Sequence, residues 1–264
     1  MPMSIRQAAT ASDAGGHPLP VAWQSLAQQG VEIRGGELTV IAGQPAAGKS
    51  ALALATALRI GVPTLYICAD TAAWTMTLRV VAMSTGMAQD AVETRLNQDM
   101  DFAAGAFDHV RFIRWCFDSA PTLADIDTEV EAYNEVWGAY PQLIVIDNLV
   151  DVSDGDDEWG GIRRTQKELK FLARDTGAAV LVLHHVTEAF QVAEGSAPSR
   201  ASILGKDTRL PAVVLTVTNE NGWLGVAVVK NRYGRCDPSG RTVTWFSFDG
   251  ARMQINELEA KFDA

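Results

Sequence analysis

The stretch GQPAAGKS, residues 43–50, constrains the fold of this chain more than any other. It has the form G-x-x-x-x-G-K-[ST] and sits between an apolar run, ELTVIAG, and a helix-forming run, GKSALALATALR. A chain that passes from strand to helix in so few residues needs glycine to turn. Once turned, it aims successive backbone N–H groups and the positive end of the helix at one point, which suits phosphate. The loop residues Gly43, Gln44, Pro45, Ala46, Ala47, Gly48 and Ala51 are the expected phosphate contacts. Lys49 is expected to neutralise the β and γ phosphates, and Ser50 to hold Mg2+ at the start of the helix.

The rest of the chain keeps the same rhythm. TLYICAD, HVRFIRW, LIVIDNL and AAVLVLHH read as strands. The helices between them include one with Trp74, Leu78, Val81 and Ala82 on a shared face. A second carries Leu123, Ile126, Val130, Tyr133 and Trp137 behind a Thr122/Asp125 capping box, and a third turns Ile162, Leu169, Leu172 and Ala173 inward. Unbroken apolar strands separated by helices predict an α/β fold whose mostly parallel sheet is covered on both faces. The last third differs, because Asn221-Gly222 and Asp249-Gly250 lie between alternating runs and predict antiparallel hairpins. Residues 1–30 are expected to be a loose tail with a possible short helix near residues 23–29, residues 31–257 the domain, and residues 258–264 a second tail.

A length of 264 residues suits one domain with modest additions. No apolar run approaches bilayer length and the opening MPMSIRQAATASDAGGHPLP lacks a signal-peptide core, so a soluble cytoplasmic protein without a membrane partner is expected. Cys68, Cys116 and Cys236 have no paired or metal-ligand spacing, and Cys68 reads as a core residue. The formal net charge of -10 excludes an indiscriminate basic coat, so any nucleic-acid surface has to be local.

A phosphate loop needs an acidic partner for its metal, and Asp147 supplies one at the end of a buried strand. Asp70, at the end of TLYICAD, is the candidate base for hydrolysis, on a strand expected to neighbour the phosphate-loop strand; capping the following helix is its other reading. His184 and His185 point to opposite sides of their strand, so one can face phosphate while the other packs. Neither has the companions of a zinc site. Lys230 and Arg232 are two residues apart on one strand, hence on one face, where they either meet an anion or solvate a hairpin edge.

In this order the motifs resemble the RecA-like ATPase core of the DnaB-type replicative helicases and of RepA-type hexameric helicases with their small phage and plasmid relatives. The resemblance spans roughly residues 32–257 and rests on GQPAAGKS, YICAD, LIVIDNL, LVLHH and VVKNRYG. It implies a RecA-like P-loop ATPase using ATP and Mg2+, assembled as a homohexameric ring. It also implies that Asp70 stands where the family has a glutamate, that His185 is the γ-phosphate sensor, and that Lys230 and Arg232 reach the neighbouring subunit's nucleotide. Asp is one methylene shorter than Glu, which puts fast turnover in question. Only about 30 residues precede the core, so a primase-docking domain is not expected, while other replication or recombination proteins remain possible partners.

In such enzymes the loops after the metal strand and the sensor strand line a channel for single-stranded DNA. Here the first, residues 150–161, holds Asp151, Asp154, Asp156, Asp157 and Glu158, which repel phosphate, with Arg163 and Arg164 adjoining. The second, residues 186–211, holds Arg200 and Lys206 as candidate DNA contacts or solvated charges, and Phe190, which either stacks on a base or packs locally. The leading expectation is an ATP-driven single-stranded DNA translocase or helicase. The alternatives are a RecA-like recombination or DNA-remodelling ATPase without unwinding, and a slow ATP-regulated scaffold.

Overall fold

Apolar β-branched runs need cover on both faces, and the computed structural model supplies it. It describes residues 16–152, 158–187, 192–204 and 208–258. The strands are β1 (Leu38–Gly43), β2 (Thr64–Cys68), β3 (Ile113–Cys116), β4 (Leu143–Asp147), β5 (Ala179–His185), β6 (Val213–Glu220), β7 (Trp223–Asn231), β8 (Val243–Asp249) and β9 (Gln254–Glu257). They form one sheet in the order β3-β2-β4-β5-β1-β6-β7-β8-β9. Pairing is parallel from β3 through β6 and antiparallel from β6 to β9.

On one face Ile41, Tyr66, Val145 and Leu181 pack against helices α1 (Gln24–Ala27), α2 (Lys49–Ile60), α3 (Ala73–Thr85) and α4 (Gln89–Gln98). A short α5 (Met100–Ala106) follows α4. On the other face Val40, Ile67, Ile146 and Val182 meet α6 (Leu123–Trp137) and α7 (Glu158–Thr176). Alternate residues of each strand thus feed two separate cores, as period-two geometry requires. No described helix is long and apolar enough to cross a membrane.

Several expectations are corrected. The Asp70 strand does not neighbour the phosphate-loop strand, because β4 and β5 lie between β2 and β1. Helix α2 carries the chain past two positions that β4 and β5 fill later, a step that local sequence does not encode. Trp74 and Trp137 do not face the core; they are 46% and 57% exposed. On α3 the buried stripe is Met76, Val80, Val81 and Ala82, and the Trp74 indole donates instead to Glu93 on α4 at 3.2 Å. On α6 the capping box is present, but burial ends at Tyr133, one turn short of Trp137. The acidic loop is shorter than expected, since α7 already begins at Glu158.

Part of the expected N-terminal tail is packed: Trp23 and Leu26 are buried, and Pro18 bridges Arg34. Residues 1–15 and 259–264 of the expected tails lie outside the described residues, as do Asp154, Asp156, Asp157, Phe190 and Lys206.

Candidate active site

The parallel strands end together, and their C-terminal ends enclose a cavity of about 390 Å³. β1 delivers the phosphate loop, with Pro45, Ala46, Gly48, Lys49, Ser50 and Ala51 on the wall. Gly48 begins α2 with φ 92°, a left-handed conformation, and a Cβ there would lie 2.6 Å from Leu224 Cδ1. The left-handed backbone therefore favours glycine here, and a Cβ would also have to displace the end of the Leu224 side chain.

Lys49 is 7% exposed, and its Nζ donates to Gly43 O at 3.2 Å and Gln44 O at 2.9 Å. The ammonium thus lies folded over its own loop. Burial lowers its pKa, with Asp147 and then Asp70 opposing that shift. The Ser50 hydroxyl lies near enough to the Asp147 carboxylate to favour its charged form, and Asp147 Oδ2 has no partner among the described residues. Burial raises the Asp147 pKa to about 6, Asp70 adds to this, and Ser50, Arg79 and Lys49 pull it down. A buried carboxylate with a spare oxygen beside a loop hydroxyl suits a divalent cation.

Asp70 lies beyond the end of β2 and lines the same cavity, and its backbone N–H is 3.4 Å from Asp147 O. The two histidines part company. His185 lines the cavity, half-buried, its pKa lowered by burial and then by Lys49. His184 is fully buried on the opposite side, with Nε2 2.9 Å from Leu204 O. A carbonyl can only accept, so Nε2 carries the proton and Nδ1, which has no partner among the described residues, presents its lone pair.

Burial also lowers the His184 pKa to about 4. In the unfolded chain the ring takes its proton near pH 6.5, so the unfolded state binds more protons between those values. Stability is expected to fall as pH drops from about 6.5 towards 4, by on the order of 3 kcal/mol, with His184→Gln flattening that part of the curve. Chemical denaturation at a series of pH values reads this directly, and an unchanged slope in the variant contradicts it.

Lys230 and Arg232 do not line the cavity. Lys230 Nζ donates to the carbonyls of Thr208, Arg209 at 2.9 Å and Pro211 at 2.6 Å, and Arg232 donates to Arg209 O at 3.1 Å and Leu210 O at 3.3 Å. Arg232 also lies 3.6 Å from Glu37. The two cations are therefore brought together, on the stem of the second loop. Arg163 and Arg164 are exposed on α7, with Arg164 in a groove beside Leu123, Tyr140 and Phe171. Arg200 is exposed, its N–H donating to Pro238 O at 2.9 Å. None of these three lines the cavity.

A family model described as an AAA domain matches residues 24–189, from the packed N-terminal helix through the 43–50 loop and β4 to just past the histidine pair. The chain belongs to this AAA domain family. The Gene 65 protein of Mycobacterium phage L5 is 35% identical to it over 265 residues, covering 96% of this chain and 98% of the phage protein. The Gene 65 protein of Mycobacterium phage D29 is 34% identical, covering 84% and 100% respectively. Among solved structures, one described as an ATPase domain aligns with a TM-score of 0.79 at 13% identity, over 97% of this chain and 96% of that one. A DnaB-like replicative helicase, described with its interactions with primase, aligns at 0.81 and 13%, over 97% and 67%. The RadB recombinase aligns at 0.60 and 16%, over 89% and 97%. This AAA domain therefore has a RecA-like fold, shared with the ATPase domain, the DnaB-like helicase and the recombinase.

The AAA domain also brings to the cavity residues for which the sequence suggested no role there. Arg79 on α3 donates to Thr71 Oγ1 at 3.3 Å, and both line the wall. Gln89 comes from the start of α4, Asn148 from the end of β4, and Phe248, Gly250 and Met253 from the β8–β9 hairpin. Asp151, expected to repel DNA, sits close enough to Asp70 and His185 to interact with both, and its Oδ2 is buried without a partner among the described residues. Asn148 lies inside the LIVIDNL run and Asp151 in the acidic loop, neither with an expected role at this cavity, and the Asp249-Gly250 signal gave a hairpin, not a site.

Proposed function

We propose that this AAA domain hydrolyses Mg-ATP between the subunits of a homohexameric ring and uses the cycle to move along single-stranded DNA as a translocase or helicase. The observation that carries the reading is the separation of two sets of cations on one sheet. Lys49 lies with the phosphate loop, where Gly43 pairs with Val217, whereas Lys230 pairs with Val214 and Asn231 with Val213, towards the opposite end of β6. At about 3.3 Å per residue along a strand and 4.8 Å between strands, Arg232 starts at least about 15 Å from its own loop. Its guanidinium is turned further away by the 208–211 carbonyls. Two cations on one face and so far from their own nucleotide site support the reading that they serve a neighbour's.

Within one subunit, Lys49 and the loop N–H groups hold the β and γ phosphates, and Ser50 with Asp147 would hold Mg2+, which would neutralise phosphate charge. Asp70 orients and deprotonates the attacking water, and His185 faces the γ-phosphate. Phe248 and Met253, across the cavity, give the base an apolar seat. Charge that develops on the leaving phosphates meets Lys230 and Arg232 of the next subunit. Arg163, Arg164, Arg200 and Lys206 are the candidate DNA contacts. The likeness to DnaB-type ATPase domains supports helicase action.

The RadB likeness favours a second reading, a recombination ATPase without unwinding. Steady-state ATP hydrolysis with and without single-stranded DNA, followed by a strand-displacement assay, separates the two. Stimulation by DNA together with directional strand release is expected. DNA binding and pairing without release would favour the recombination reading, and ATP-dependent assembly with no stimulation would leave a scaffold.

A further inference from the structure

Successive residues of a strand point to opposite sides, and the run Lys230-Asn231-Arg232 uses both. While the two cations face the 208–211 carbonyls, Asn231 faces the other way, towards the turn at residues 29–30. Its Nδ2 donates to Gly30 O at 3.0 Å and Gln29 O at 3.4 Å, and its Oδ1 accepts the Tyr233 N–H at 2.9 Å. Just beyond, the Arg235 N–H donates to Gln29 O at 3.0 Å. The backbones touch here: a Cβ on Gly234 would lie 2.3 Å from Gln29 O and 2.8 Å from Gly30 Cα.

The turn that receives Asn231 is itself braced. Helix α1, which leads into it, has its first N–H groups capped by Glu257, from Gln24 at 3.1 Å and Ser25 at 2.7 Å. The Trp23 indole donates to Thr56 Oγ1 on α2 at 2.9 Å, and Gln29 Nε2 to Thr244 Oγ1 at 2.7 Å. A single segment thus connects the phosphate-loop helix of a subunit to the cations at its far edge.

We propose that Asn231 is a positioning residue: by tying β7 to the 29–30 turn it holds Lys230 and Arg232 at the height and angle needed to reach the neighbouring subunit's nucleotide. This rests on the trans-acting role proposed above. The tie depends on an amide, because two carbonyl oxygens need a donor, and a carboxylate of the same shape would face them with oxygen.

The test is Asn231→Asp. Turnover at saturating ATP is expected to fall about tenfold to a hundredfold, the cost of misplaced catalytic groups, with the KM for ATP nearly unchanged. A general folding defect would also damage the variant's own phosphate loop. Mixing Asn231→Asp with Lys49→Ala tells the two apart, since sound cations from the Lys49→Ala subunit then meet the intact phosphate loop of the Asn231→Asp subunit, and activity is expected to return. Should Asn231→Asp not fold, Asn231→Ala, which removes the bonds without adding charge, is read in the same way. Wild-type turnover by the variant overturns the inference, as does a loss that mixing fails to restore when it restores Arg232→Ala. Wild-type turnover by Arg232→Ala sinks the trans-acting role and this inference together.

Discussion

Replacing Arg232 by Ala is expected to lower ATP turnover about a thousandfold while ATP still binds and subunits still assemble. The reason is spatial. Arg232 follows β7 at the end of the sheet away from its own cavity, so its removal leaves the phosphate loop, Ser50 and Asp147 of that subunit untouched. Under the proposed trans-acting role, what is lost is charge brought against the γ-phosphate from the next subunit, which matters in the transition state far more than in the bound ground state. Lys230→Ala is expected to lose less, because Lys230 presents one ammonium where the guanidinium can fork onto two oxygens. Single-turnover kinetics beside equilibrium binding of a fluorescent ATP analogue read the split.

The second large effect is expected at Asp70. Asp70→Asn removes the proposed base but keeps shape, and turnover is expected to fall by about two to four orders of magnitude with little change in ATP affinity. Asp70→Glu adds a methylene and is the informative partner: if the short side chain limits the approach to water, the Glu variant turns over at least as fast as wild type. Asp151→Asn is the control, because Asp151 shares the neighbourhood of His185. Full activity in Asp70→Asn together with its loss in Asp151→Asn would move the base to Asp151.

Much of this was legible in the chain, and the physical reasons separate what was from what was not. The phosphate loop announces itself because its glycines and its strand-to-helix context are local. Asp147 stands out because an acid at the end of LIVID is costly without a partner, and His185 because period two puts it opposite His184. Arg79, Gln89 and Phe248 were not legible, because they reach the cavity only through packing between distant segments. Phe248 gets there after the chain has crossed β6 and β7 and turned back. Strand order was misjudged for the same reason, since nothing within β2 records that β4 and β5 will separate it from β1. Helix α4 offered only Val92 and Leu96 as buried residues, too few for a clear stripe.

The central claim is that each active site is shared by two subunits, and mixing two inactive variants tests it most directly. Lys49→Ala has no working phosphate loop but keeps its cations, whereas Arg232→Ala has a sound loop and no guanidinium. In an equimolar mixed ring about a quarter of the interfaces pair a sound loop with sound cations. Turnover is therefore expected to rise well above that of either variant alone, towards about a quarter of the wild-type rate. A mixture no more active than its components, although mixed rings form, would contradict the account.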